Sequence, residues 1–203
     1  MPGIFALVSL LATFSAALEA RDPYLHGHST RVTGIAEGLA RMLDWRQPQL
    51  EVLRLGGSLH DVGKIAVDAK VLRKPGPLTS DEVAHIRTHP VAGARLIEGI
   101  VDLAPALPYV LHHHERWDGT GYPTRQAGEA IPLEARVLGV ADAFDAMTSH
   151  RAYRPALSVD AALAEVERCA GTQFDPGLAR TFLDGWACGE IGAPVELAAT
   201  ASL

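Results

Sequence analysis

Apolar residues along this chain recur at helical spacing, and the strict alternation of half-buried strands hardly occurs. Leu7, Leu10, Leu11, Phe14 and Leu18 form a first stripe, and Val32, Ile35, Leu39, Met42 and Leu43 a second. Leu50, Leu53, Leu55 and Leu59 form a third that leads into His60. Thr79 with Glu82 is a capping box that starts a short helix, which Pro90 interrupts or restarts before Val91, Leu96 and Ile97. Another helix fits Leu103 to His114. After a loop rich in Gly and Pro, Ala135, Leu138, Ala141, Phe144 and Met147 mark a strong helix. Ser158 can cap one over Ala161 to Val166, and Asp175-Pro176 starts a last one ending near Gly185. The pattern predicts an all-α bundle of about seven or eight helices. No repeat or linker divides it. Residues 1–18 are expected to be an apolar helix leading into the domain, 19–188 the domain, and 189–203 a loosely packed tail without clear period.

Composition narrows the function. With 203 residues and 48% hydrophobic side chains, the chain can bury a core unaided. A net charge of −6 excludes a broad DNA- or RNA-binding surface, which depends on basic groups displacing counterions from phosphates. Any phosphate site has to be local. The stretch from Ile4 to Leu18 lacks a Lys or Arg before Arg21 and falls short of the roughly 20 residues that cross a bilayer, so neither a signal peptide nor a membrane span is expected. Cys169 and Cys188 are too few for a zinc ribbon or a disulfide framework, and the chain reads as cytoplasmic. Nine histidines are the feature left to explain.

His60-Asp61 closes an otherwise apolar helix, with Gly63-Lys64 directly after. Such a pair can present a nitrogen and a carboxylate to one metal, or let the carboxylate bridge two. Alone, a His-Asp dipeptide is more often a cap or a surface pair. Its company changes the reading: His28 precedes a helix, His89 lies in Thr88-His89-Pro90, His112-His113-His114-Glu115 ends another helix, and Asp142 and Asp145 share one helical face.

From roughly Glu19 through Phe182 these residues make the chain resemble the HD-GYP family, a branch of the HD-domain metal-dependent phosphohydrolases. The resemblance runs through Leu59-His60-Asp61-Val62-Gly63-Lys64-Ile65, Lys74-Pro75-Gly76 and the stretch from His113 to Pro123 with its Gly121-Tyr122-Pro123. Val140 to Ala146, Arg151-Ala152-Tyr153-Arg154 and Gly171 to Pro176 continue it in order. It implies an HD-type bundle with a metal site between helices, and hydrolysis of cyclic di-GMP, a bacterial second messenger, to linear pGpG and onward to GMP. It assigns His28, His60, Asp61 and Asp142 to one divalent ion and His89, His113 and His114 to its neighbour, with Asp61 bridging. Five imidazoles and two carboxylates suit Fe, Mn, Co, Ni or Zn better than Ca or Mg, and Fe or Mn is expected. The implied reaction is attack by a metal-bridging hydroxide on phosphorus, in line with the leaving 3′ oxygen. Asp61, Lys64 and Asp145 are its catalytic candidates. Lys64 adds a charge on the phosphate or the leaving oxygen, and Asp145 orients the site. Lys64, Tyr122, Arg151 and Arg154 are the expected substrate contacts.

Gly119 and Gly121 permit turns in the Gly-Tyr-Pro loop, whose Trp117 and Tyr122 offer aromatic surface to a guanine or a partner protein; Trp117 equally fits packing under the loop. Other cyclic dinucleotides are alternative substrates, and a catalytically silent receptor is the rival outside the enzymes. A homodimer through the first helix is compatible with its stripe. One position departs from the family pattern. Three-metal members place a glutamate where this chain has Tyr24, and a phenol with pKa near 10 is a poor ligand, so two ions are expected and the step to GMP is placed in doubt. His26, His85, His112 and His150 are expected to play ordinary roles, with His112 pointing about 100° from His113 on a helix. Lys70, Arg73 and Lys74 read as a solvated loop.

Overall fold

The computed structural model describes residues 27–150 and 155–192. The expected helix over 1–18, Tyr24, His26, Arg151, Arg154 and residues 193–203 lie outside them. Eight α-helices longer than a single turn form among the described residues: α1 (His28–Met42), α2 (Gln47–Leu59), α3 (Ser80–Ile86), α4 (His89–Ile97), α5 (Leu107–His112), α6 (Leu133–Thr148), α7 (Val159–Arg168) and α8 (Pro176–Ala187). No strand forms among those residues beyond an isolated bridge between Ala170 and Phe174. The fold is the all-α bundle the periodicity calls for.

The helix starts follow local chemistry. Thr79 accepts from the Glu82 amide while the Glu82 carboxylate accepts from the Thr79 amide, so α3 opens on a capping box. Ser158 accepts from the Ala161 amide at the start of α7, and Asp175 from the amides of Gly177 and Leu178 at the start of α8. Pro90 sits in the first turn of α4, where a missing N–H costs nothing. The single helix expected over Leu103 to His114 is instead a 3₁₀ segment, Val101–Ala106, followed by α5. Pro105 and Pro108 each lack the amide an uninterrupted α-helix would need.

The main core joins α1, α2, α6 and α8 through Val32, Leu39, Leu53, Leu138, Phe144 and Phe182. The Phe144 ring lies 5.2 Å from Phe182 and 4.7 Å from Trp186 between centroids. A smaller core of Leu59, Val62, Ile97, Leu103 and Val110 binds the end of α2 to α4 and α5. The segment after α8, expected to be loose, begins packed: Ile191 is buried in the main core and its amide donates to the Gly185 carbonyl at 3.1 Å.

Glu37, buried on α1, ties that helix to α2. It accepts from Arg54 Nε at 2.8 Å and Nη2 at 2.6 Å, and also from Arg41. The Arg54 hydrogen bonds, opposed by burial, bring its carboxyl below the ordinary 4.5. A carboxyl depressed in the folded state stabilises above its unfolded pKa and loses that contribution as pH falls. Glu37→Gln is therefore expected to cost about 1 kcal/mol in urea unfolding at pH 7, the arginines being partly solvated, with the difference from the parent shrinking below about pH 4.5. A difference that stayed constant into acid would show that shape, not charge, matters there.

Candidate metal centre

The predicted histidine ligands come from helix ends. His28 opens α1, His60 closes α2, His89 opens α4, His113 closes α5 with His114 next to it, and Asp142 and Asp145 project from α6. Asp61 lies between α2 and the 3₁₀ segment Val62–Ala66. That segment presses against α4 at Gly63, where a Cβ would overlap the His89 carbonyl and the Gly93 amide nitrogen. Only glycine lets the His-Asp corner come this close to His89.

Backbone carbonyls set the ring tautomers. His60 Nδ1 lies 2.8 Å from the Gly57 carbonyl, His89 Nδ1 2.8 Å from that of Ile86, and His113 Nδ1 3.0 Å from that of Tyr109. A carbonyl only accepts, so each Nδ1 carries the hydrogen and each Nε2 of the neutral ring presents a lone pair. Those lone pairs converge. His89 Nε2 and His113 Nε2 are 3.3 Å apart, and buried His60 Nε2 and Asp61 Oδ1 have no hydrogen-bond partner. Acceptors facing one another in a buried site are costly unless a cation lies among them.

Asp61 reaches both sides of this cluster. Its Oδ1 is 3.3 Å from His89 Nε2, and its Oδ2 is 3.4 Å from His60 Nε2 and 3.8 Å from His28 Nε2. Donor atoms of Asp61, His89, His113 and His114 lie within 4.8 Å of one another, as do those of His28, His60 and Asp142, so each group can hold a metal ion. A nitrogen-rich set with two carboxylates and no thiolate fits borderline divalent ions.

The electrostatics point the same way. Burial drives His89 and His113 below the ordinary imidazole value and His114 to about 3, leaving lone pairs free of proton competition at neutral pH. Burial would raise Asp61 and Asp142, but Lys64 and the surrounding imidazoles hold Asp61, and His28 above all holds Asp142, far below the usual range. Burial alone would lower His28, yet its bonds to Asp142 and Asp145 take it up to about 9. The centre attracts positive charge.

Lys64 Nζ donates to Asp61 Oδ2 at 2.6 Å. Asp145 stands behind the cluster, accepting from His28 Nδ1 at 2.7 Å and from Arg31 Nε at 2.6 Å. Tyr122 stacks on the His114 ring at 4.8 Å between centroids, and the Arg87 guanidinium lies 5.1 Å over the Tyr122 ring. Trp117 is half-buried under Arg136, which also pairs with Asp175 at 2.6 Å. A cavity of about 210 Å³ adjoins the centre at His114 and Asp142 and runs past Tyr122 and Trp117. His85 and His150 lie apart from the cluster, and His85 Nε2 accepts from the Asp68 amide at 3.1 Å. His112 does not join the converging donors; its Nδ1 lies 3.9 Å from Glu115 Oε1.

Three residues without an expected role belong to the surroundings. Arg31 fixes Asp145, Arg87 covers Tyr122, and Glu115 Oε1 accepts from Thr124 Nα and Oγ1 at 2.7 Å each and from the Arg125 amide at 3.1 Å, which holds the Gly-Tyr-Pro loop against the His113-His114 corner. Arg31 lies one helical turn from His28, and that spacing was the available signal.

The HD domain family matches residues 12–178. The cyclic di-GMP phosphodiesterase response regulator RpfG of Xanthomonas campestris is 40% identical over 86% of this chain and 47% of its own length. The 3′3′-cGAMP-specific phosphodiesterase 3 of Vibrio cholerae is 34% identical over 84% of this chain and 37% of its own. A solved cyclic GMP-AMP specific phosphodiesterase of V. cholerae shares the fold, with a TM-score of 0.62 at 22% identity over 86% of this chain and 47% of that one. The chain thus spans less than half of each relative. Among the described residues no helix is long and apolar enough to cross a membrane.

Proposed function

The chain belongs to the HD domain family, and from that premise we propose that it is a metal-dependent phosphodiesterase that hydrolyses cyclic di-GMP to linear pGpG. The observation that carries this reading is the convergence of buried imidazole lone pairs on the two oxygens of Asp61. His28, His60 and Asp142 would hold one divalent ion and His89, His113 and His114 the other, with Asp61 shared. Fe or Mn fits this donor set first, and Co, Ni or Zn after them. Bound there, such ions would supply a water-derived nucleophile at neutral pH and neutralise phosphoryl oxygens.

The chain's own groups do the rest. Lys64, steered by Asp61, puts an ammonium at the edge of the centre for a phosphoryl oxygen or the leaving 3′ oxygen. Tyr122 lines the cavity that the nucleotide would enter, and Arg151 and Arg154 would meet its phosphates. Tyr24, in the place of a glutamate, argues for two ions and places the step from pGpG to GMP in doubt. The proposal extends to a cytoplasmic setting, a dimer contact through residues 1–18 and a protein-binding role for the Gly-Tyr-Pro loop.

Asp145 holds the His28 ring from behind, so that Nε2 faces the centre. Asp145→Asn is expected to lower metal affinity or turnover about 10–100-fold while the fold survives. Parent-like metal content and turnover would remove Asp145 from the site.

The 34% identity to a cGAMP-specific enzyme keeps a second substrate in view. The test is product chromatography of the metal-loaded chain with cyclic di-GMP and 3′3′-cGAMP side by side. Conversion of cyclic di-GMP to pGpG without GMP is expected. Preference for cGAMP would overturn the base assignment, and no turnover of either the enzyme itself.

A further inference from the structure

Arg87 ends α3 two residues before His89, with its guanidinium over the Tyr122 ring. Among the described residues its guanidinium makes no ion pair and no hydrogen bond, in a chain whose 24 acidic side chains outnumber its 18 basic ones. What holds it is the Tyr122 ring at 5.1 Å, and that ring is itself stacked on His114. Stacking limits the rotamers of the guanidinium and leaves its N–H edge open, so an anion arriving from outside meets a donor fork already in position.

Resting on the function proposed above, we infer that Arg87 is a specificity-determining substrate contact that receives the second phosphate of a cyclic dinucleotide. One phosphate of such a ring has to meet the His and Asp cluster to be cleaved. The other then faces the wall of the site across the macrocycle, where a guanidinium besides those proposed for Arg151 and Arg154 can meet its charge. Arg87 is one aromatic layer from His114, on the wall that carries the Gly-Tyr-Pro loop. A guanidinium grips a phosphate through two parallel hydrogen bonds, which suits this position better than the point charge of Lys64. A simple phosphodiester has no second phosphate to offer and gains nothing from Arg87.

The test compares kcat/KM for cyclic di-GMP with kcat/KM for bis(p-nitrophenyl) phosphate, in the metal-loaded parent and in Arg87→Ala. The side chain is exposed, so the variant should fold. The ratio of the two values is expected to fall about tenfold or more, mostly through KM for the cyclic dinucleotide. An unchanged ratio, whether both substrates suffer equally or neither does, overturns the role of Arg87 and leaves the proposed function standing. A parent that cleaves the simple diester and spares the cyclic dinucleotide overturns the proposed function, and this inference with it.

Discussion

Asp61→Ala is expected to abolish turnover, by about a thousandfold or more, and to lower the metal content of the purified chain. Among the described residues Asp61 alone faces both donor groups, with Oδ1 toward His89 and Oδ2 toward His60 and His28. Its removal would take the proposed shared ligand from both ions and one of the two negative charges that would offset them. Several kcal/mol of transition-state stabilisation depend on ions held in place, and a thousandfold corresponds to about 4 kcal/mol. The substitution also strips Lys64 of its nearest carboxylate, so Lys64 would swing toward solvent or toward substrate. Thermal unfolding and circular dichroism distinguish a lost site from a lost fold. A folded Asp61→Ala chain with parent turnover would mean that catalysis lies elsewhere.

Metal removal is expected to have an equally large effect, in two observables at once. Without ions the centre keeps facing lone pairs on His89 and His113, an unpartnered Asp61 oxygen and two ionised carboxylates in a buried space. A ligand that binds only the folded chain stabilises it by about 4 kcal/mol at a thousandfold excess over its Kd. Exhaustive chelation should therefore lower the melting temperature by several degrees and end turnover together. Returning Fe or Mn under anaerobic conditions should restore both, whereas Ca or Mg, which prefer oxygen ligands, should restore neither. Full turnover by a chain shown to be free of metal would contradict the site's chemistry.

The capped helices and the cluster could be read ahead of the structure for one shared reason: their signals are local. Thr79, Ser158 and Asp175 act on amides two or three residues away, so the residue type at the right offset is enough. The candidate histidine ligands sit at helix ends, where His60-Asp61, Thr88-His89-Pro90 and His113-His114 mark both the break and the chemistry. What escaped depends on chain segments meeting in space. Arg31 and Asp145 are 114 residues apart, and Arg87 meets Tyr122 only because α3 ends beside the Gly-Tyr-Pro loop. Ile191 reads as tail until Gly38 and Gly185 are seen to leave room for its side chain. The split of α5 from the preceding 3₁₀ segment was visible in Pro105 and Pro108, but a run of apolar residues masked it.

The most direct measurement is anomalous diffraction from crystals of the chain purified anaerobically with Fe or Mn. Two peaks per chain are expected, one enclosed by His28, His60 and Asp142 and one by His89, His113 and His114, with an Asp61 oxygen toward each. A third peak would contradict the two-ion site argued from Tyr24, and peaks away from these residues, or none, would contradict the metal centre itself.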